Sequence, residues 1–181
     1  MRGRPYALLL LIALGSACGP AAANRPLPAY AGKITTLFDD TIEPSAVGMD
    51  LDKSYDPATD PQFRERTRDA DAVLRVRILT VTARTSEAHS VYQLSMSAVG
   101  DEMVGKYPPK SPFNVRIDEK SVSIGLVKNL ESGLVGKTFV IFVKEFVLAD
   151  GDKELHFHLA PDSKAVIHAV SDSLALDEVK K

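Results

Sequence analysis

Across residues 72–170 the apolar side chains of this 181-residue chain recur mostly at every second position, and that period limits its possible folds more than any other feature. Leu74, Val76 and Ile78 alternate with Arg75, Arg77 and Leu79, and Thr80-Val81-Thr82 continues the run with β-branched residues. Successive strand side chains point to opposite faces, so the pattern predicts a long strand with one face buried. After the polar turn Thr85-Ser86-Glu87, Tyr92, Leu94, Met96 and Ala98 alternate with Gln93, Ser95 and Ser97, which predicts a hairpin partner. Phe113, Val115 and Ile117 predict a further strand, and Val122, Ile124 and Leu126 another. Between these pairs lies Tyr107-Pro108-Pro109, where two missing backbone donors exclude a central strand and predict a surface loop.

Residues 134–148 are the most apolar part beyond the N-terminal region. Their valine, isoleucine and phenylalanine content, entered at Gly136, predicts a strand buried on both faces at the centre of the sheet. Asp150-Gly151-Asp152 predicts a tight turn. Leu155-His156-Phe157-His158-Leu159 then alternates strictly, Pro161-Asp162-Ser163 turns again, and 165–170 is expected to return as a strand. A short helix with Ser173 as cap is expected in the tail, and another starting at Asp60-Pro61 and running through Arg64 and Arg68. Residues 34–48 fit a short helix or an extended segment equally. Six or seven consecutive strands without a βαβ period predict an all-β fold with short helices, a single antiparallel barrel or sandwich. Over residues 69–170 the order of a long leading strand, a hairpin, a gap, a highly apolar strand and a closing hairpin resembles an OB-type barrel.

The N-terminus carries a different signal. Arg2 and Arg4 precede the apolar run Ala7-Leu8-Leu9-Leu10-Leu11-Ile12-Ala13-Leu14, followed by Gly15-Ser16-Ala17 and then Cys18, the single cysteine of the chain. The run is less than half of the roughly 20 residues a membrane-spanning helix needs, so it reads as an export signal. A cysteine at the end of such a segment resembles the lipobox of bacterial lipoproteins, although the leucine, Leu14, stands one position further from the cysteine than in the usual pattern. The resemblance implies cleavage before Cys18 and acylation of its sulfur, and Gly19 after it implies the outer membrane, facing the periplasm. The chain then divides into a signal peptide at 1–17, a lipidated cysteine and proline-rich tether at 18–32, and a β-rich domain at 33–181. A lone cysteine also argues against a disulfide-stapled secreted fold.

The formal charge of -2 and the absence of a basic stripe argue against a nucleic-acid partner. His156 and His158 leave one face of a strand, and a three-residue turn would set His168 opposite His156, giving three imidazoles that could hold zinc with one position open. The stretch Asp50 to Asp60 opens like a calcium loop, but Tyr55 stands where the turn needs glycine and Pro61 where the closing glutamate belongs, so a solvated acidic loop is expected. Arg75 and Arg77 are expected to pair with acids across strands. No serine elbow, phosphate loop or dinucleotide fingerprint occurs, and nothing in the chain argues for an enzyme. The function expected is that of a non-catalytic binding or scaffolding module. It would be held to the membrane by its lipid and would take an envelope protein or a small ligand as partner, with a zinc protein as the alternative.

Overall fold

The structure, a computed structural model, describes residues 25–49, 55–85, 89–100 and 104–179. Its strands are β1 (Thr41–Ile42), β2 (Ala72–Thr85), β3 (Ser90–Ala98), β4 (Val104–Gly105), β5 (Phe113–Ile117), β6 (Thr138–Val147) and β7 (Lys153–Pro161). They form one sheet in the order β1-β7-β6-β2-β3-β5, with β4 pairing beside β2. The helices are α1 (Phe63–Asp69), α2 (Ile124–Leu134) and α3 (Lys164–Val179), with short 3-10 turns at Gly32–Thr36 and Pro44–Val47. No helix among the described residues is long and apolar enough to cross a membrane.

The β-rich class, the β2/β3 hairpin and the place of β6 follow the sequence reading. β6 lies between β2 and β7 and carries fully buried side chains toward both faces, Phe139, Ile141 and Val143 on one and Val140, Phe142 and Phe146 on the other. The first set joins Leu74, Val76, Ile78, Leu94, Val115 and Phe157 in a core closed by Val127 and Leu134 of α2. The second packs under α1, α3 and the leading segment through Phe38, Phe63, Val166 and Val170. Along β2 the register shifts between Ile78 and Thr80, so the face reverses. Leu79 is 42% exposed, and Val81 takes over the packing against the first core.

Three expectations are corrected. The sheet is open and mixed rather than a closed antiparallel barrel or a sandwich: β1 pairs with β7 in parallel, and β5 lies beside β7 without joining it in the hydrogen-bonded order. Residues 122–126 do not form a strand. Ile124, Val127, Leu130 and Leu134 recur at three- and four-residue intervals and turn one face of α2 to the core, while Val122 is 78% exposed. Residues 165–170 belong to α3. Ser163 Oγ accepts the Val166 N–H at 3.3 Å, as a capping serine does, and Val166, Val170 and Leu174 follow at helical spacing. The helix expected in the tail therefore begins earlier than Ser173, whose hydroxyl instead donates to the Ala169 carbonyl at 2.7 Å.

Two connections frame β6. Gly136 has φ 83°, a left-handed conformation that lets its N–H reach the Ile78 carbonyl at 2.8 Å and leads α2 directly into the strand. At the other end, residues 25–32, read as tether, are docked where they are described. Tyr30 N–H donates to the Val147 carbonyl and Val147 N–H to the Pro28 carbonyl, extending the sheet at the end of β6.

Candidate functional site

Strand alternation places His156 and His158 on one face of β7, as expected, but that face is covered rather than outward. The leading segment folds over it, leaving the two residues 7% and 3% exposed. Asp40, held at φ 57° where a short polar side chain is tolerated, accepts the Phe157 N–H at 3.2 Å with Oδ1 and meets His156 Nδ1 at 2.9 Å with Oδ2. Tyr30 stacks on the face of the His156 ring. His158 Nε2 lies 3.2 Å from Glu43 Oε1 and its Nδ1 3.6 Å from Asp39 Oδ1, without hydrogen-bond alignment. Burial raises the Asp40 carboxyl above the usual carboxylate value despite His156. Burial also pushes Asp39 upward, but His158 and Thr41 outweigh it and hold that carboxyl below its usual value.

His168 does not join them. It projects from α3, its side chain 79% exposed, and pairs with Asp172 at 2.9 Å, one helical turn on. The three-imidazole zinc arrangement required 165–170 to be a strand, and the helix removes it. Among the described residues no group of three or more His, Cys, Asp or Glu side chains is arranged to hold a metal ion. Cys18 lies outside the described residues, as do Asp50 and Asp52 of the calcium-like stretch. Of its remaining acids, Asp56 accepts the Ala58 N–H, and Asp60 is occupied by the Gln62 N–H, the Tyr55 hydroxyl and Arg66. Arg75 does meet an acid, in a two-point contact with Asp162 at 2.9 and 2.7 Å, but Asp162 stands in the turn after β7 rather than on a strand beside β2, and Arg77 forms no ion pair among the described residues.

The feature with the shape of a binding site lies elsewhere, at the seam where β5 and β7 fail to pair. A groove of about 750 Å³ runs there, and its walls include Arg84, Gln93, Asn114, Arg116, Lys153 and Glu154. A second groove of about 570 Å³ shares Glu145, Lys153 and Leu155 with it and continues past Tyr107, Lys110 and Arg25. Apolar Val91, Val115 and Leu155 line the first part, and Phe113 and Leu27 the second. Among the described residues Arg84, Lys110, Arg116 and Lys153 have no acidic partner, and all four are exposed. Glu145 lies 3.7 Å from Arg25.

The sequence did carry a signal for this groove. Arg84 pairs in register with Val91 on β3, and Gln93 with Arg116 on β5, so two outward cations flank one stretch of the hairpin. The failure of β5 to meet β7 had no local signature. Comparison of the chain with known protein families, curated proteins and solved structures finds no match.

Proposed function

We propose that the protein is a non-catalytic binding module of the cell envelope. Acyl chains on Cys18 hold it on the periplasmic side of the outer membrane, and its seam groove receives an envelope protein or a small ligand. The observation that carries this reading is the groove itself, a concave surface edged by two strands and bearing exposed cations that have no acidic partner among the described residues. The strand order supports an OB-type barrel left open at one seam. β2 pairs with both β3 and β6, β3 continues to β5 and β6 to β7, and α2 stands between β5 and β6 in the chain.

The tether is consistent with a site close to the bilayer. Arg25 and Leu27 line the groove, and Arg25 stands seven positions after Cys18, a reach of about 25 Å at most. One acyl chain holds a protein only marginally and two or more hold it stably, so lipidation needs no help from the surface charge.

Two measurements test the reading. Cys18→Ala is expected to leave the protein unprocessed or to release it from the membrane fraction. A photo-crosslinking residue at position 93 in the native envelope is expected to give a discrete adduct, whereas the same residue at 176 on α3 gives none. Acylation absent from Cys18 would remove the anchor, and equal labelling from both positions would remove the groove as the binding face.

A further inference from the structure

We infer that the occupant of the seam groove is a single-chain anionic lipid, its phosphate head set among Arg84, Arg116 and Lys153 and its acyl chain laid along the adjoining second groove, an inference that rests on the binding-module reading above. β7 lies close beside the outer edge of β5 and closes that edge to an added strand, so side chains must do the recognising. Their register sorts them. Arg84 stands opposite Val91 of β3 and Arg116 opposite Gln93, and residues 91 and 93 share a face, so both arginines flank one short stretch of that strand. Lys153 approaches from β7 across the seam.

The two grooves differ in chemistry. In the first, the amides of Gln93 and Asn114 stand beside the three cations. In the second, Leu27, Tyr107, Pro108, Pro109 and Phe113 join Leu155. Arg25 there turns its charge to Asp71 and lies over the Tyr107 ring, and Lys110 is exposed, with a stem that can lie along apolar surface. Charge is gathered at one end and apolar surface at the other, which matches an amphiphile rather than a compact anion or a peptide of mixed sequence. The number of cations specifies the head. A carboxylate is matched by a single arginine fork, whereas a phosphate monoester carries a charge of about −1.5 to −2 and three strong acceptor oxygens. Against the three cations the lining supplies Glu154 and Glu145, the latter 3.7 Å from Arg25, so the head end is cationic on a chain whose formal charge is -2.

The probe is lauroyl lysophosphatidic acid with a photoactivatable diazirine in its acyl chain, added to the full lipid-anchored chain in phosphatidylcholine nanodiscs. We expect saturable labelling within residues 107–113, mapped by mass spectrometry, and none on α3. Unlabelled lysophosphatidic acid should displace the probe. Lysophosphatidylcholine, with the same chain and no net charge, and glycerol phosphate, with the same head and no chain, should each need at least about tenfold more. Joint replacement Arg84→Gln and Arg116→Gln is expected to weaken binding about tenfold, and raised salt to weaken it further. Both positions are exposed, and an unchanged thermal melt confirms that the variant folds. The proposal is overturned by labelling that does not saturate, by equal labelling of α3, or by equal affinity of the double variant. Displacement by lysophosphatidylcholine as readily as by lysophosphatidic acid also overturns it and leaves an apolar groove alone; equally ready displacement by glycerol phosphate leaves an anion site alone. Loss of lipid labelling with cross-linking from position 93 intact removes the ligand class alone; loss of both removes the binding module as well.

Discussion

Tyr30 lies flat on His156, their ring centroids 3.5 Å apart and their planes 4° from parallel. The same side chain meets Phe146 edge-on at 5.1 Å and donates its hydroxyl to the Phe38 carbonyl at 2.8 Å. One residue thereby fastens the leading segment to β6, to β7 and to the turn before β1. Burial and nearby acids raise the Tyr30 hydroxyl pKa, so it stays protonated and donating at physiological pH. Tyr30→Ala removes two aromatic contacts and the hydrogen bond together, an expected loss of about 2–4 kcal/mol. Tyr30→Phe removes only the hydrogen bond, about 1 kcal/mol. Urea unfolding of both variants checks the difference; equal losses would place the energy in the hydroxyl and not in the stack.

Two aspartates should respond to pH in opposite senses. Hydrogen bonds from Arg75 hold the Asp162 carboxyl below its usual value, with burial opposing them. Its contribution is therefore present above the unfolded-state pKa, near 4, and is lost as pH falls through the lower folded value. Burial raises the Asp40 carboxyl, so its native state binds a proton that the unfolded chain has already lost, and its contribution declines as pH rises from near 4 through the folded value. The destabilisation caused by Asp162→Asn should grow between pH 3 and 6, and that caused by Asp40→Asn should shrink. Asparagine also tolerates the left-handed backbone at position 40, which keeps the comparison to the charge. Denaturation midpoints across this range, with slopes of the same sign for both variants, would contradict the assignment.

Periodicity reported the first core well because both its strand faces and its spacing are local properties. Leu74, Val76, Tyr92, Leu94, Val115 and Phe157 all fall on the side that alternation assigns them. Val122, Ile124 and Leu126 misled because three alternating residues satisfy period two, while the helical repeat through Val127, Leu130 and Leu134 needs a longer window. His156 and His158 sit on the predicted shared face, but alternation says nothing of what covers a face. Their cover is a segment more than a hundred residues earlier, brought in by the parallel pairing Thr41 with His158 and Ile42 with Leu159. The seam groove is the extreme case, because it consists of a pairing that does not form.

Phe142 tests whether the second face of β6 is a true core. It is fully buried and meets Phe63 edge-on at 5.3 Å, which joins α1 to the sheet. Truncation leaves a cavity that the surrounding side chains close only in part, so Phe142→Ala should cost about 3–5 kcal/mol. Phe142→Leu retains most of the packed volume and should cost markedly less. Chemical denaturation of the pair decides; a loss below about 1 kcal/mol for the alanine variant would mean that the covering layer of α1 and α3 is loosely attached.

Asp71 is 5% exposed and joins four parts of the chain. Its carboxylate takes both ends of the Arg25 guanidinium, accepts the Glu145 N–H at 2.8 Å and lies 3.7 Å from Lys144 Nζ. Its N–H donates to the Val143 carbonyl, and its own carbonyl accepts the N–H groups of Lys106 and Tyr107. The two ends of the Arg25 pair should therefore differ in cost. Asp71→Ala leaves Arg25 with only Glu145, 3.7 Å away, Lys144 without its carboxylate and the Glu145 N–H without its acceptor, which should cost about 2–4 kcal/mol. Arg25→Ala leaves Asp71 with Lys144 and the Glu145 N–H, which should cost about 1–2 kcal/mol. That variant also removes the cation lying 4.2 Å from the Tyr107 ring centroid, so the leading segment should become accessible to chymotrypsin at Tyr30 while the sheet stays folded. Equal stability losses from the two substitutions, or no gain in cleavage on loss of Arg25, would show that the segment is held by its backbone bonds to Val147 and that the Asp71 carboxylate serves only the sheet.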